Sequence, residues 1–304
     1  MPAFFKKNVF VALSVIALFS FGIFILMQKY KATHAPIPIV AKPIQAEKEI
    51  VGTSVEGRAI EAYTYGTGET RLLFVGGVHG GYEWNSVLLA YQFIDYVKAN
   101  PDFIPKNLTI SIIPSANPDG LFRVVRKEGR FTAGDVSDST KLVESGRFNA
   151  HSVDLNRNFD CKWKPKSMWK SKVVSAGTKA FSEPEAVAIR DFVIAHNPDS
   201  AIFWHSKANA VYASECQAGI LPKTLDLMNA YAKASKYNAI KSFTAYETSG
   251  DAEGWLASIN IPAITVELST HETVEWERNL AGIKAIFNYY SRLEVANSNS
   301  GLNN

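Results

Sequence analysis

Three side chains with metal-binding chemistry lie in or next to apolar segments of this sequence. His79 and Glu83 belong to the glycine-rich segment GGVHGGYE, which follows the apolar run RLLFV, and His205 follows the run AIFW. Catalytic zinc commonly takes two histidines and one carboxylate and keeps one coordination position for water. We therefore predict that His79, Glu83 and His205 bind one zinc ion. The alternative is a surface position for Glu83 and a hydrogen-bonded core position for His205.

A second glutamate, Glu267, ends another apolar run, PAITVE. A carboxylate that does not bind the metal can take a proton from the attacking water and return it to the leaving group. We predict that Glu267 is this general base. The competing interpretation is a structural ion pair between Glu267 and an arginine.

These side chains need strands that end at one edge of a sheet. Apolar runs predict strands at 59–65, 71–76, 108–114, 200–204 and 262–267. Helical patterns occupy 86–99, 183–196, 221–236 and 276–293. Strands separated by helices predict an α/β fold, a single domain with a mixed, mainly parallel twisted sheet flanked by helices. His79, His205 and Glu267 then fall at or just after strand ends, where the functional residues of such sheets collect.

At this point the sequence resembles the zinc metallocarboxypeptidases of the funnelin type, a family that includes pancreatic carboxypeptidases and bacterial murein-peptide amidases. The motif pattern is most similar to the bacterial amidase-like members. The resemblance extends from residue 51 to about residue 290, and its motifs occur in the family's order. They are VGTSVEGR from Val51, GGVHGGYE from Gly76, NPDG from Asn117, VDLNRNF from Val153, FSEPE from Phe181, WHS from Trp204, YETSG from Tyr246 and TVEL from Thr265.

The resemblance implies the zinc ligands and the general base named above, and it adds residues that bind substrate. Asn156 and Arg157 would hold the terminal carboxylate, a task that suits the forked guanidinium group. Tyr246 would close over the bound C-terminal residue. Arg147 would stabilise the oxyanion of the tetrahedral intermediate, although Arg126 and Arg130 are rivals for this role.

Side-chain preference is also implied by the resemblance. In digestive members the residue seven positions after the closing tyrosine forms the floor of the specificity pocket, and here it is Glu253, with Asp251 close by. A buried carboxylate favours a cationic partner and penalises apolar ones. We therefore expect a preference for basic C-terminal residues or for diaminopimelate. The alternative is that Glu253 points to solvent.

One departure from the family pattern concerns the first two metal ligands. The family places two residues between the histidine and the glutamate, whereas Gly80, Gly81 and Tyr82 make three here. Either the glycines let the turn bulge by one residue, or a helix begins at once and brings positions four apart to one face.

The N-terminal region predicts a membrane attachment. Residues 8–27 are apolar, have lysines on both sides and are long enough to span a bilayer as a helix. We predict an N-terminal membrane anchor over 1–31 with the enzyme outside the cytoplasm. The alternative is a signal peptide followed by secretion. A linker at 32–49, a catalytic domain at 50–293 and a disordered tail at 294–304 complete the predicted organisation.

Charge and cysteine content restrict the partners. The formal net charge is +3, but removing the four lysine charges of residues 1–31 leaves −1, so we expect no nucleic-acid partner. Cys161 and Cys216 could form one disulfide or remain two buried thiols.

We expect a monomer that acts on a peptide or peptidoglycan-peptide substrate. Two other functions stay open: an aspartoacylase-like deacylase of N-acyl amino acids, and a catalytically silent membrane-tethered module that binds peptides.

Overall fold

A computed structural model describes residues 24, 25, 27 and 29 and residues 46–300, with side chains described as far as residue 293. Most of the predicted anchor at 1–31 and of the linker at 32–49 lies outside the described residues. Within the described part of the chain, no helix is both long enough and apolar enough to cross a membrane.

The central feature of residues 46–300 is an eight-stranded mixed sheet with the order β1-β2-β4-β3-β7-β12-β8-β11. Pairing is parallel along β4-β3-β7-β12 and again between β8 and β11, and it is antiparallel at the other three contacts. Two hairpins, β5-β6 and β9-β10, lie outside this sheet. The strands are β1 (Glu47–Thr53), β2 (Ala59–Gly66), β3 (Thr70–Val75), β4 (Leu108–Ile113), β5 (Lys166–Trp169), β6 (Lys172–Ser175), β7 (Ser200–Ser206), β8 (Ala210–Ala213), β9 (Glu215–Cys216), β10 (Gly219–Ile220), β11 (Asn238–Ile240) and β12 (Ala263–Leu268).

Helices cover both faces of this sheet. They are α1 (Trp84–Ala99), α2 (Pro118–Val125), α3 (Thr140–Ser145), α4 (Pro184–His196), α5 (Pro222–Ser235), α6 (Ala252–Ser258) and α7 (Trp276–Ser300). Phe74 and Trp204 pack with α1, α5 and α7 on one face, while Leu73 and Phe203 pack with α4 and α6 on the other. Because helices cover both faces, every residue of β4 and β7 is buried, and burial does not alternate along these strands. The predicted mixed α/β domain is confirmed.

The boundaries depart from prediction where the apolar signal is weak. β1 begins at Glu47, inside the predicted linker. It was not predicted because this edge strand is largely exposed and lacks an apolar run. β8 and β11 have only four and three residues, too few for a recognisable period. The final helix begins at Trp276 as predicted but continues to Ser300, into the predicted tail.

Cys161 and Cys216 form a disulfide, with 55 residues of sequence separation. Closing a loop of this length removes unfolded-state entropy worth about 4 kcal/mol in the chain-entropy treatment. The bond ties β9 to the end of the VDLNRNF motif. Gly250 N donates to Cys161 O at 2.7 Å, so the segment before Asp251 is held at the same place.

Candidate active site

The three predicted metal ligands meet at one edge of the sheet. Their donor atoms all lie within 4.8 Å of one another, and all three residues are buried. His79 follows β3, and His205 lies on β7, opposite Glu267 of the neighbouring parallel strand β12. His205 Nδ1 lies 2.9 Å from Glu83 Oε2. The carboxyl ends of β3, β7 and β12 therefore deliver the two histidines and Glu267 to one place.

A glycine turn accommodates the extra residue between His79 and Glu83. Gly80 has φ of 43°, and residues Gly80–Glu83 form a single 3₁₀ turn before α1 begins. A Cβ atom at Gly80 would lie 2.7 Å from Gly146 O, so only glycine fits this approach. The structure therefore combines both alternatives, because the 3₁₀ turn begins directly after His79 and contains a left-handed glycine.

The NPDG motif packs against this glycine turn. Asn117 caps α2 by accepting from Gly120 N at 2.9 Å, and its Nδ2 donates to Arg147 O at 3.3 Å. Asp119 accepts from Ser54 Oγ at 2.6 Å, which fastens the β1–β2 turn to the same helix. The motif positions the backbone around Gly80 and Arg147 and does not line the cavity.

Asp154 is a buried carboxylate of the site that the sequence motifs did not single out. It is fully buried, and its Oδ1 lies 3.4 Å from His79 Nδ1. A carboxylate beside a histidine ligand orients the ring and leaves the other ring nitrogen for the metal. Its position between Val153 and Leu155 at the start of the DLNRNF motif was the available signal, because an acid that is buried with apolar neighbours requires a partner.

The donor set fits zinc. Two imidazoles and one carboxylate match the chemistry of a catalytic zinc site. Glu267 Oε2, buried at the wall of the same cavity, also lacks a hydrogen bond within the described chain. Such unpaired buried atoms are costly unless another group meets them.

The titratable groups of the site have pKa values that are shifted in different directions. Burial, followed by the charge of Arg147, holds the pKa of His79 well below its usual value. Burial also disfavours protonation of His205, but the carboxylates of Glu83 and Glu253 outweigh it and raise its pKa. Burial and the charge of Glu83 raise the pKa of Glu267 to about 8. A cation among these carboxylates would favour their ionised forms.

Arg147 is the only one of the three candidate oxyanion arginines that lines this cavity. Its Nε donates to Asp154 Oδ2 at 2.9 Å, its Nη2 lies 2.8 Å from the same oxygen, and its guanidinium lies 4.8 Å from the ring centre of Trp169. Arg130 pairs with Asp95 on the surface. Arg126 ends α2 and is exposed. Arg147 is therefore held by Asp154 with its guanidinium in the site.

Asn156 and Arg157 are brought into the same cavity, which has a volume of about 390 Å³. Asn156 Oδ1 accepts from Ala252 N at 2.8 Å, which fixes the side chain against α6. Arg157 Nη2 donates to Met168 O at 3.1 Å. Both side chains are thus oriented by backbone groups. Tyr246 lines the cavity from the loop before Asp251 and lies 4.8 Å, ring to ring, from Phe243.

Asp251 and Glu253 both line the cavity, so Glu253 does not point to solvent. Glu253 is 2% exposed, and its Oε1 accepts from Thr265 Oγ1 at 2.9 Å. Asp251 caps α6 by accepting from Gly254 N at 2.7 Å. Burial and the charge of Glu253 raise the pKa of Asp251 to about 6.

His271 also lines the cavity, although its sequence context suggested no role. Its Nδ1 lies 2.7 Å from Ser206 Oγ, and its ring lies 4.7 Å from that of Tyr82. Two other histidines lie elsewhere: His151 contacts Glu183, and His196 stacks on Phe192. His34 lies outside the described residues.

Comparison with known proteins identifies relatives over most of the chain. The family model described as zinc carboxypeptidase matches residues 40–282. The γ-D-glutamyl-L-diamino acid endopeptidase 1 of Lysinibacillus sphaericus is 22% identical over 242 residues, which cover 72% of this chain and 60% of the relative. Carboxypeptidase B of Helicoverpa zea is 25% identical over 256 residues, covering 76% of this chain and 58% of the relative. The chain thus spans about 60% of the length of these relatives.

A solved structure shows the same fold. The murein-tripeptide amidase of Escherichia coli O157 superposes with a TM-score of 0.56 at 21% identity, covering 81% of this chain and 96% of that one. At this identity the likeness concerns the fold.

Proposed function

This chain belongs to the zinc carboxypeptidase family, and we propose that it hydrolyses a C-terminal or near-C-terminal peptide or amide bond by the activation of water. One observation carries the proposal. A single cavity holds the His79, Glu83 and His205 group together with two arginines, and Glu267 lies at its wall. That arrangement provides a metal centre, a base and anion-binding donors in one place.

The residues divide the chemistry among themselves. Zinc held by His79, Glu83 and His205 would supply Lewis-acid activation of the scissile carbonyl and the attacking water. Glu267 takes a proton from that water and returns it to the departing amine, so no covalent intermediate is required. Arg147 donates to the oxyanion.

Asn156 and Arg157 select a substrate with a free carboxylate near the scissile bond. Tyr246 covers the bound residue. N-acyl amino acids also carry a free carboxylate, so the match of residues 40–282 to the zinc carboxypeptidase family is what favours a peptidase over an N-acyl amino acid deacylase. Retention of all three ligands and of Glu267 favours an active enzyme over a silent peptide-binding module.

We further propose that the substrate carries a cationic group next to its terminal carboxylate. The two acidic side chains of the cavity, Asp251 and Glu253, support this preference because a desolvated carboxylate favours a cation. A relative named for γ-D-glutamyl-L-diamino acid bonds and a structural neighbour named for murein tripeptide favour a cell-wall peptide. The amine of diaminopimelate and that of lysine offer the same charge.

The test is a comparison of matched peptides ending in lysine, diaminopimelate or phenylalanine. We expect a higher kcat/KM for the two peptides that carry a side-chain ammonium group, and we expect Asp251→Asn to reduce this advantage about tenfold, since a hydrogen bond to a charged group contributes about 1.5 kcal/mol. Faster hydrolysis of the phenylalanine peptide, unaltered in Asp251→Asn, would rule out the preference.

The preference should also depend on pH. The raised pKa of Asp251, about 6, means that this carboxyl becomes neutral as the pH falls through 6, while the substrate amine stays charged. The ratio of kcat/KM values for lysine and phenylalanine peptides should therefore fall between pH 7.5 and pH 5, and it should stay flat in Asp251→Asn.

We propose that the catalytic domain lies outside the cytoplasm, attached through the apolar residues 8–27 or released after cleavage. The disulfide supports this location because oxidising compartments preserve such bonds. In protein trapped with an alkylating reagent directly from cells, Cys161 and Cys216 should become reactive only after reduction. Free thiols at both positions in the native protein would contradict the proposal.

A further inference from the structure

The two ring nitrogens of His205 face different carboxylates. Nδ1 lies 2.9 Å from Glu83 Oε2, on the side of the metal-binding group. Nε2 is buried and forms no hydrogen bond within the described chain, and Glu253 Oε1 lies 3.3 Å from it. A histidine that binds a metal through one nitrogen requires an acceptor for the N–H of the other. Glu253 is the carboxylate in reach of that N–H.

Glu253 is fixed in this position by its surroundings. It stands in the first turn of α6, and its Oε1 also accepts from Thr265 Oγ1 at 2.9 Å. Thr265 lies on β12, two residues before Glu267, and β12 pairs in parallel with β7, which carries His205. One carboxylate oxygen therefore joins α6 to both strands of the site. Movement of this oxygen toward a substrate would break the hydrogen bond from Thr265 and take the carboxylate away from His205 Nε2.

Asp251 differs from Glu253 in its hydrogen-bond and ion-pair partners. One of its oxygens accepts from Gly254 N, and its side chain is only partly buried while it lines the cavity. Within the described residues no ion pair joins Asp251 to a metal ligand, whereas Glu253 Oε1 lies 3.3 Å from His205 Nε2. Asp251 can meet a substrate cation without releasing a group that orients the metal centre.

From this arrangement we infer that Glu253 is a positioning residue for the metal ligand His205, and that Asp251 is the carboxylate that meets the cationic group of the substrate. By the resemblance, Glu253 would form the floor of the specificity pocket, whereas here Asp251 is the residue that contacts the substrate cation. The role of Asp251 rests on the proposed function, whereas the role of Glu253 is tested without any substrate.

Zinc affinity separates the two roles. The dissociation constant of zinc should be measured on metal-free protein by competition with a chromogenic chelator. We expect Glu253→Ala to weaken zinc binding about 10- to 100-fold. Glu253→Gln should weaken it less, because the amide oxygen still accepts the N–H of His205. Asp251→Asn should bind zinc as the unmodified chain does.

The substrate readout should show the reverse pattern. With zinc saturating, the ratio of kcat/KM for lysine and phenylalanine peptides should fall in Asp251→Asn and stay unchanged in Glu253→Gln. A Glu253→Gln variant with unmodified zinc affinity and a lost lysine preference would overturn the inference.

A third variant guards against misfolding of Glu253→Ala. Thr265→Val keeps the shape of the side chain but removes the hydroxyl that holds Glu253, so zinc should bind more weakly than in the unmodified chain while Glu253 remains. Unmodified zinc affinity in both Thr265→Val and Glu253→Gln would overturn the role of Glu253. If the unmodified chain shows no lysine preference, the substrate proposal fails and the zinc measurements still decide the role of Glu253.

Discussion

Glu267→Gln is expected to lower kcat/KM about a thousandfold while zinc binding is retained. The amide keeps the size of the carboxyl but cannot take a proton from the attacking water, and general-base catalysis contributes about 10²- to 10⁴-fold. Glu267 lies opposite His205 on the neighbouring strand and is not a member of the His79, Glu83 and His205 group. The loss should therefore appear in turnover and not in metal affinity.

Stability provides the control for this variant. The pKa of Glu267 in the folded, metal-free protein is about 8, above the usual value for glutamate. An acid whose pKa is raised by folding makes the protein less stable as the pH rises from its unfolded pKa through 8. Metal-free Glu267→Gln should thus be at least as stable as the unmodified chain at pH 8 in thermal unfolding.

The decisive readout is the activity of the zinc-loaded variant. If Glu267→Gln retained a tenth or more of the unmodified kcat/KM, Glu267 would be excluded as the base.

The second large effect is expected from metal removal. Chelation should abolish hydrolysis, and stoichiometric zinc should restore it, because the buried donors of His79, Glu83 and His205 converge within 4.8 Å. Zinc should also raise the thermal unfolding midpoint of the metal-free protein, since a ligand at 1,000 times its dissociation constant stabilises the folded state by about 4 kcal/mol.

Two histidine variants make this measurement specific. His79→Ala removes a ligand and should lose most of the thermal response to zinc. His151→Ala removes an exposed histidine that contacts Glu183 and lies outside the cavity, so its response should match that of the unmodified chain. Activity that is indifferent both to chelation and to zinc would contradict a metal-dependent mechanism.

Much of the sheet was predictable because its strands are buried on both faces. Runs such as LTISII in β4 and SAIFWHS in β7 are rich in apolar residues. The predicted ends of these strands lie within about two residues of the observed ends. The exposed edge strand β1 and the short strands β8 and β11 have no such signal. Their pairing depends on neighbours that are distant in the sequence.

The sequence by itself determined which chemistry is available: imidazole and carboxylate donors for zinc, a separate carboxylate for proton transfer, and arginines for anions, all next to strand ends. Tertiary structure alone decided where these groups lie. It placed Arg147 at the cavity and Arg126 and Arg130 outside it, joined Cys161 to Cys216, and turned Glu253 toward His205. The physical reason is that residue type specifies what a side chain can bind, whereas its direction and its buried partners come from contacts between segments far apart in the chain.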